Sequence, residues 1–299
     1  MKMNYIEKHP MLAIIVGVVG ISLSAIFVRY SAAPSVVTAA YRMIWTVLLM
    51  CPLVFGSGEY RRELKEISKK IVWESALSGV CLALHLALWF ESLEHTSVAS
   101  STTIVCGEVI WVALGFCIFM HGKMNGKEIF AIVITLLGSV LIAGADFGIG
   151  KMQFYGDVLA LLAAIVEAAY TLLGRKVRSS TSTMVYTFLV YLFSALTLVV
   201  VTLVQGKSLV GYGKSGIVVG LLLAVFSTLL GHSIFSWCLK YFSPAFVSVT
   251  KLCEPVVAAV FAAFLFGEIP GLLQVAGSII ILGGVMYYSK VETSEQREK

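Results

Sequence analysis

Apolar residues in this chain follow neither the 3.6-residue period of an amphipathic helix nor the alternation of a half-buried strand; they run for about twenty residues at a time, with short polar turns between the runs. Ten runs recur, at about Pro10 to Tyr30, Ser35 to Phe55, Ile71 to Leu93, Ser97 to Met120, Glu128 to Ala145, Tyr155 to Gly174, Met184 to Val204, Ile217 to Leu239, Pro244 to Phe266 and Gly271 to Tyr288. As a helix such a run reaches about 30 Å, the thickness of a hydrocarbon core, and stretches such as LLLAVFSTLL lack the alternation of a barrel strand. The pattern predicts an all-α integral membrane protein with ten transmembrane helices. Nothing between the runs is long enough to fold separately, and the stretch from Gly56 to Lys70, with five basic residues, reads as at most an interfacial turn. A single membrane domain, residues 1–299, is expected.

Composition and charge narrow the class. With 59% hydrophobic and 13% charged residues, the chain cannot hide its apolar surface in a water-soluble core. The first run has no A-x-A cleavage site and is too long for the apolar part of a signal peptide, so it reads as a retained helix. With the N-terminus placed in the cytoplasm, sixteen of the 22 Lys and Arg residues fall on that side, among them Lys2, Lys8, the cluster from Arg61 to Lys70, Arg175, Lys176, Arg178 and Lys299, and four fall on the other. The positive-inside rule then places both termini in the cytoplasm. The net charge of +5 is a topology signal, and no nucleic-acid partner is expected. The six cysteines, Cys51, Cys81, Cys106, Cys117, Cys238 and Cys253, lie in apolar runs without C-x-x-C spacing; they read as small packing residues and suggest neither a disulfide framework nor a metal site. No phosphate-binding loop is present, and no cofactor is implied.

An internal repeat organises the runs. The stretch SVASSTTIVCGEVIWVA from Ser97 aligns with SPAFVSVTKLCEPVVAA from Ser243 at a constant offset of 146, pairing Leu93 with Leu239, Ala99 with Ala245 and Glu108 with Glu254. His85 and His232 fall one residue out of that register, and Gly138-Ser139 meets Gly277-Ser278 after a seven-residue shortening. Two five-helix halves, residues 9–146 and 152–290, follow. Because five is odd, the second half must enter the membrane from the opposite side, the inverted repeat used by many secondary transporters. Each glutamate lies eleven residues beyond its serine, about 16 Å along a helix, so both arrive near the middle of a roughly 30 Å core.

A carboxylate at that depth costs roughly 2.5 to 3.5 kcal/mol on insertion scales, which makes it a functional candidate. Lys251 precedes Glu254 by three residues and Pro255 follows it; proline lacks an N–H, so the backbone near Lys251 gains a free acceptor facing the cavity or another helix. Either Lys251 and Glu254 form an inert neutralising pair or Glu254 meets substrate or proton. Glu108 has no cation within one turn, and Arg42 is the nearest by depth, as a structural clamp or as part of a site. Glu167 lies in a run of alanines with Tyr170 on the same face, where small neighbours allow helix approach or room for a ligand. His85 and His232 could exchange a proton or hydrogen-bond across helices, and Trp89, one turn beyond His85, could stack on a substrate. Trp111 and Trp237 read as packing aromatics, and Gly138, Gly277, Gly283 and Gly284 as close-packing positions. Glu108 is the favoured proton carrier, since Lys251 already stands as a counter-charge beside Glu254.

An intramembrane hydrolase would need nucleophile, base and oxyanion hole together; in Gly231-His232-Ser233, the nearest approach, neighbouring side chains point about 100° apart on a helix, so His232 cannot activate Ser233. A channel would need a continuous polar lining or a filter sequence, and neither is visible. Gly107-Glu108, Glu254-Pro255-Val256, the following Gly267-Glu268 and the Gly-rich last run resemble the EamA-like permeases of the drug/metabolite transporter superfamily, and HLALWFESLEHTSVASST and GHSIFSWCLKYFSPAFVSVTKLCEPV resemble its bacterial members. The resemblance covers essentially the whole chain. It implies a ten-helix basket in the bacterial cytoplasmic membrane, a central cavity formed by both halves, and export of a small, amino-acid-like metabolite. The first half departs from the pattern with Val109 in place of a proline and Gly122-Lys123 in place of Gly-Glu.

Overall fold

The computed structural model describes residues 10–144, 151–266 and 271–298; Lys2, Lys8, Lys299 and the pair Gly267-Glu268 lie outside them. Regular structure among these residues is helical throughout. In chain order the helices are α1 (Pro10–Ser22), α2 (Ser24–Val28), α3 (Ser35–Gly56), α4 (Gly58–Glu66), α5 (Lys69–His95), α6 (Val98–Cys106), α7 (Glu108–Phe119), α8 (Gly126–Gly144), α9 (Lys151–Arg178), α10 (Thr183–Val204), α11 (Gly213–Leu222), α12 (Ser233–Cys238), α13 (Pro244–Lys251), α14 (Glu254–Phe266) and α15 (Leu272–Glu298), with a π-helical stretch, Leu223–His232, joining α11 to α12. Among the described residues nine stretches are long and apolar enough to cross a membrane. They correspond to every expected run but the fifth, which lies in the 19-residue α8.

Sequence sets the helix starts. Ser57, Ser68, Ser97, Ser182 and Ser243 each stand as N-cap, the hydroxyl accepting from the amide three residues on, at 3.0 Å for Ser97 and 3.2 Å for Ser243. Pro244 fits directly behind its cap because the first helical residue has no use for an N–H. Two departures from the sequence reading stand out. The stretch expected as an interfacial turn is helix α4, none of whose residues is buried. Four runs are not single helices: α1 and α2 are separated at Leu23, α6 and α7 at Gly107, α13 and α14 at Leu252 and Cys253, and α11 passes into π-helix.

The helices pack mainly across the two halves of the chain: α5 runs along α9 and α10, α3 along α10 and α11, α1 along the π-helical stretch, and α8 along α15. The last pair approaches through glycine. A Cβ on Gly138 would lie 2.8 Å from Gly277 O, and one on Gly277 would lie 2.6 Å from Gly138 O. Outward faces are apolar, with Phe264, Leu272, Val204 and Phe119 each more than three-quarters exposed, as a hydrocarbon-facing surface requires. Charged side chains, by contrast, are buried at the centre: Arg42, Glu108, Glu167, Lys251 and Glu254.

Candidate functional site

Two broken helices meet at the centre. At the first break the Gly107 amide bonds both Thr103 O and Ile104 O at 3.1 Å, and α7 starts afresh at Glu108. At the second, Leu252 N reaches back to Val249 O and Cys253 N to Thr250 O, the tighter three-residue spacing that ends a helix. Pro255 offers no N–H to Lys251 O, and that carbonyl accepts instead from Cys106 Sγ at 3.8 Å, one residue before the other break. The free acceptor expected from Pro255 thus ties the two breaks together. Glu108 and Glu254 open their half-helices, where the dipole favours an anion, and Lys251 closes α13, where it favours a cation.

Lys251 is the hub of the buried charges. Its Nζ lies 2.7 Å from Glu167 Oε1 and 3.0 Å from Glu108 Oε1, and 5.6 Å from the centre of the Phe235 ring. Glu167 Oε2 is 3.7 Å from His85 Nδ1, which also lies 3.2 Å from Ala163 O. These contacts correct two sequence expectations. Lys251 does not pair with Glu254: the break at Leu252 and Cys253 removes the shared helical face that a three-residue spacing would have given, and α7 and α9 bring carboxylates to Lys251 instead. Nor does Arg42 pair with Glu108. Arg42, wholly buried, donates from Nε to Thr228 Oγ1 at 2.8 Å and from Nη1 to Ser24 Oγ at 3.3 Å, with Phe90 6.0 Å below the guanidinium. Ser24 begins α2 just after its break and Thr228 lies in the π-helical stretch, so both hydroxyls sit where regular hydrogen bonding is interrupted. Sequence reasoning missed both, although an arginine at that depth must find acceptors somewhere.

All eight residues singled out by sequence, Arg42, His85, Trp89, Glu108, Glu167, His232, Lys251 and Glu254, line one central cavity. Pro255 is the second residue of α14, directly beside it. Ser24, Thr102, Cys106 and Ser227 complete the polar wall, and Ile21 and Val105 the apolar one. His85 faces His232 at 6.4 Å and Trp89 at 5.9 Å between ring centres, while Tyr170 lies 6.0 Å from His232 and meets Ser236 Oγ at 3.0 Å. The water-accessible volume of the cavity is about 40 Å³. Several buried polar atoms around it have no protein hydrogen-bond partner, including Arg42 Nη2, Trp89 Nε1, Thr102 Oγ1, Glu108 Oε2, His232 Nδ1 and Glu254 Oε1. Trp237 packs on Tyr241 at 4.5 Å, away from this wall.

The two ends of the cavity differ. Toward Arg29 and Glu94, beyond Phe90, lies a second pocket of about 220 Å³, lined also by Ser31, Ser35 and Thr38. At the other end Arg175 donates to the carbonyls of Leu239 and Phe242 in the turn between α12 and α13, and Arg178 to those of Ser236 in α12 and Thr181 between α9 and α10.

The uncharacterized transporter YxxF of Bacillus subtilis is 24% identical over 87% of this chain and 82% of its own length. The pseudopaline exporter CntI of Pseudomonas aeruginosa is 24% identical over 72% of this chain and 74% of its own. A probable amino-acid metabolite efflux pump of Salmonella typhimurium is 26% identical over 58% of this chain and 61% of its own. A crystal structure 14% identical in sequence shares the fold, with a TM-score of 0.77 over 96% of this chain and 98% of that one. Residues 9–144 and 154–290 each match the EamA-like transporter family, and the chain, a multi-pass membrane transporter, belongs to that family.

Proposed function

We propose that the protein moves a small polar or amphipathic, amino-acid-like metabolite out across the bacterial cytoplasmic membrane by alternating access around the central cavity. The observation that carries this reading is the convergence of the buried charges on one central cavity where two broken helices touch. Half-helix ends at mid-membrane are the usual means by which transporters hold ions and charged substrates. Export and substrate class are drawn from relatives named as a pseudopaline exporter and an amino-acid metabolite efflux pump.

Ten spans in two inverted repeats, residues 9–146 and 152–290, with both termini cytoplasmic, are part of the proposal. Ser97 and Ser243 cap corresponding helices, and the breaks fall at corresponding places. The packing of α5 on α9 has its counterpart in that of the π-helical stretch on α1.

Proton coupling moves within the proposal from Glu108 to Glu254. Lys251 holds Glu108 at 3.0 Å, whereas among the described residues no cation lies within 4 Å of Glu254. Purified protein in liposomes is expected to release loaded amino acids saturably, faster with an inward proton gradient. Glu254→Gln should lose the response to the gradient, whereas Glu108→Gln should keep it. A gradient response surviving in Glu254→Gln would remove the proton role from Glu254.

A further inference from the structure

The charges of the cavity are unevenly matched. Lys251 stands between Glu108 and Glu167, while Arg42 and Glu254 are each buried with no opposite charge within 4 Å among the described residues. Arg42 is oriented by two neutral hydroxyls, which fix the guanidinium without neutralising it and leave Nη2 unpartnered. Glu254 opens α14 with Oε1 unpartnered. A guanidinium and a carboxylate buried without counter-charges are each unfavourable, and both line the same cavity.

Resting on the transporter reading above, we propose that the cavity selects a zwitterion, with Arg42 receiving the carboxylate of the ligand and Glu254 its ammonium group. A simple anion would satisfy Arg42 but meet three carboxylates in the same wall; a simple amine would satisfy Glu254 and leave the guanidinium bare. A zwitterion completes both. The planar fork of arginine matches a carboxylate, and hydroxyl tethers on Nε and Nη1 fix the guanidinium while Nη2 stays without a partner. Trp89 Nε1 and Thr102 Oγ1, also unpartnered, remain for other atoms of the ligand.

The test uses matched sets: leucine, leucinamide, 3-methylbutylamine and 4-methylpentanoate, with the corresponding sets for methionine and phenylalanine. Thermal stabilisation of the purified protein is expected from the amino acid of at least one set, at a concentration at least tenfold below that needed for its amide, amine or acid. In Arg42→Met the preference for the amino acid over its amide should fall tenfold or more, and in Glu254→Gln the preference over the plain acid should fall likewise. An amide, amine or acid that stabilises as well as its amino acid overturns the inference, as does stabilisation by none of them. The wild-type comparison stands even if Arg42→Met fails to fold. Proteoliposomes loaded with the same compounds separate the two levels: protein-dependent release of amide or amine with the amino acid retained overturns the zwitterion alone, and release of nothing overturns the transporter reading with it.

Discussion

Lys251 is the residue on which the buried electrostatics turn. It neutralises carboxylates from two other helices, so removing it strands both Glu108 and Glu167 in a site that water scarcely reaches. Breaking a buried pair in this way costs about 3–5 kcal/mol, and Lys251→Met should lower the thermal stability of the purified protein accordingly. A double-mutant cycle discriminates the partners: Glu167→Gln combined with Lys251→Met should show an interaction energy of about 0.5–3 kcal/mol, and Glu254→Gln combined with Lys251→Met a smaller one. Coupling of Lys251 to Glu254 as strong as its coupling to Glu167 would contradict the pairing described here. The identity of the cavity residues was legible in sequence, because a charge far from the ends of an apolar run has few reasons to exist. Their pairing was not. Spacing along one helix suggested Lys251 with Glu254, but the partner is set by which neighbouring helices cross at that depth, and a single chain's sequence does not state crossings.

At the scale of elements, length and apolarity made the spans readable, while the interruptions were legible only at Pro255. Gly107, Leu23 and the π-helical stretch carry no strong local signal, since an interrupted helix in lipid survives only where other helices satisfy its freed groups, as Cys106 does for Lys251 O. Glycine spacing was more informative. Gly138 and Gly277 were expected to allow close approach, and α8 and α15 do touch backbone to backbone there. Gly138→Val should therefore force the pair apart and cost about 1–3 kcal/mol, the range for overpacking a tight contact. Gly283, also read as a close-packing position, has open space around its Cβ direction, and Gly283→Val should change stability by no more than about 0.5 kcal/mol. Thermal unfolding of the two variants side by side checks the contrast, and equal losses would show that the helix contact does not depend on Gly138.

For the molecule as a whole, the asymmetry between the ends of the cavity matters most. Arg175 and Arg178 bind backbone carbonyls at one end, while at the other a pocket of about 220 Å³ lies against Phe90. A carrier that alternates must be able to exchange this arrangement for its reverse, and a channel must not need to. Single cysteines in place of Ser24, on the Phe90 side, and Ser236, on the arginine side, report the two ends in a background in which the six native cysteines are serine or alanine. Membrane-impermeant thiol reagents should reach the Ser24 site from one face of the membrane and the Ser236 site from the other, and a transported amino acid should shift the two labelling rates in opposite senses. Arg175→Met, which removes contacts at Leu239 and Phe242, should raise labelling at the Ser236 position and lower it at Ser24, because the two gates share one set of helices and weakening one shifts the population toward the state in which it is open. Simultaneous labelling of both positions from one face, unaffected by substrate or by Arg175→Met, would mean a continuous pore, and alternating access would then be wrong.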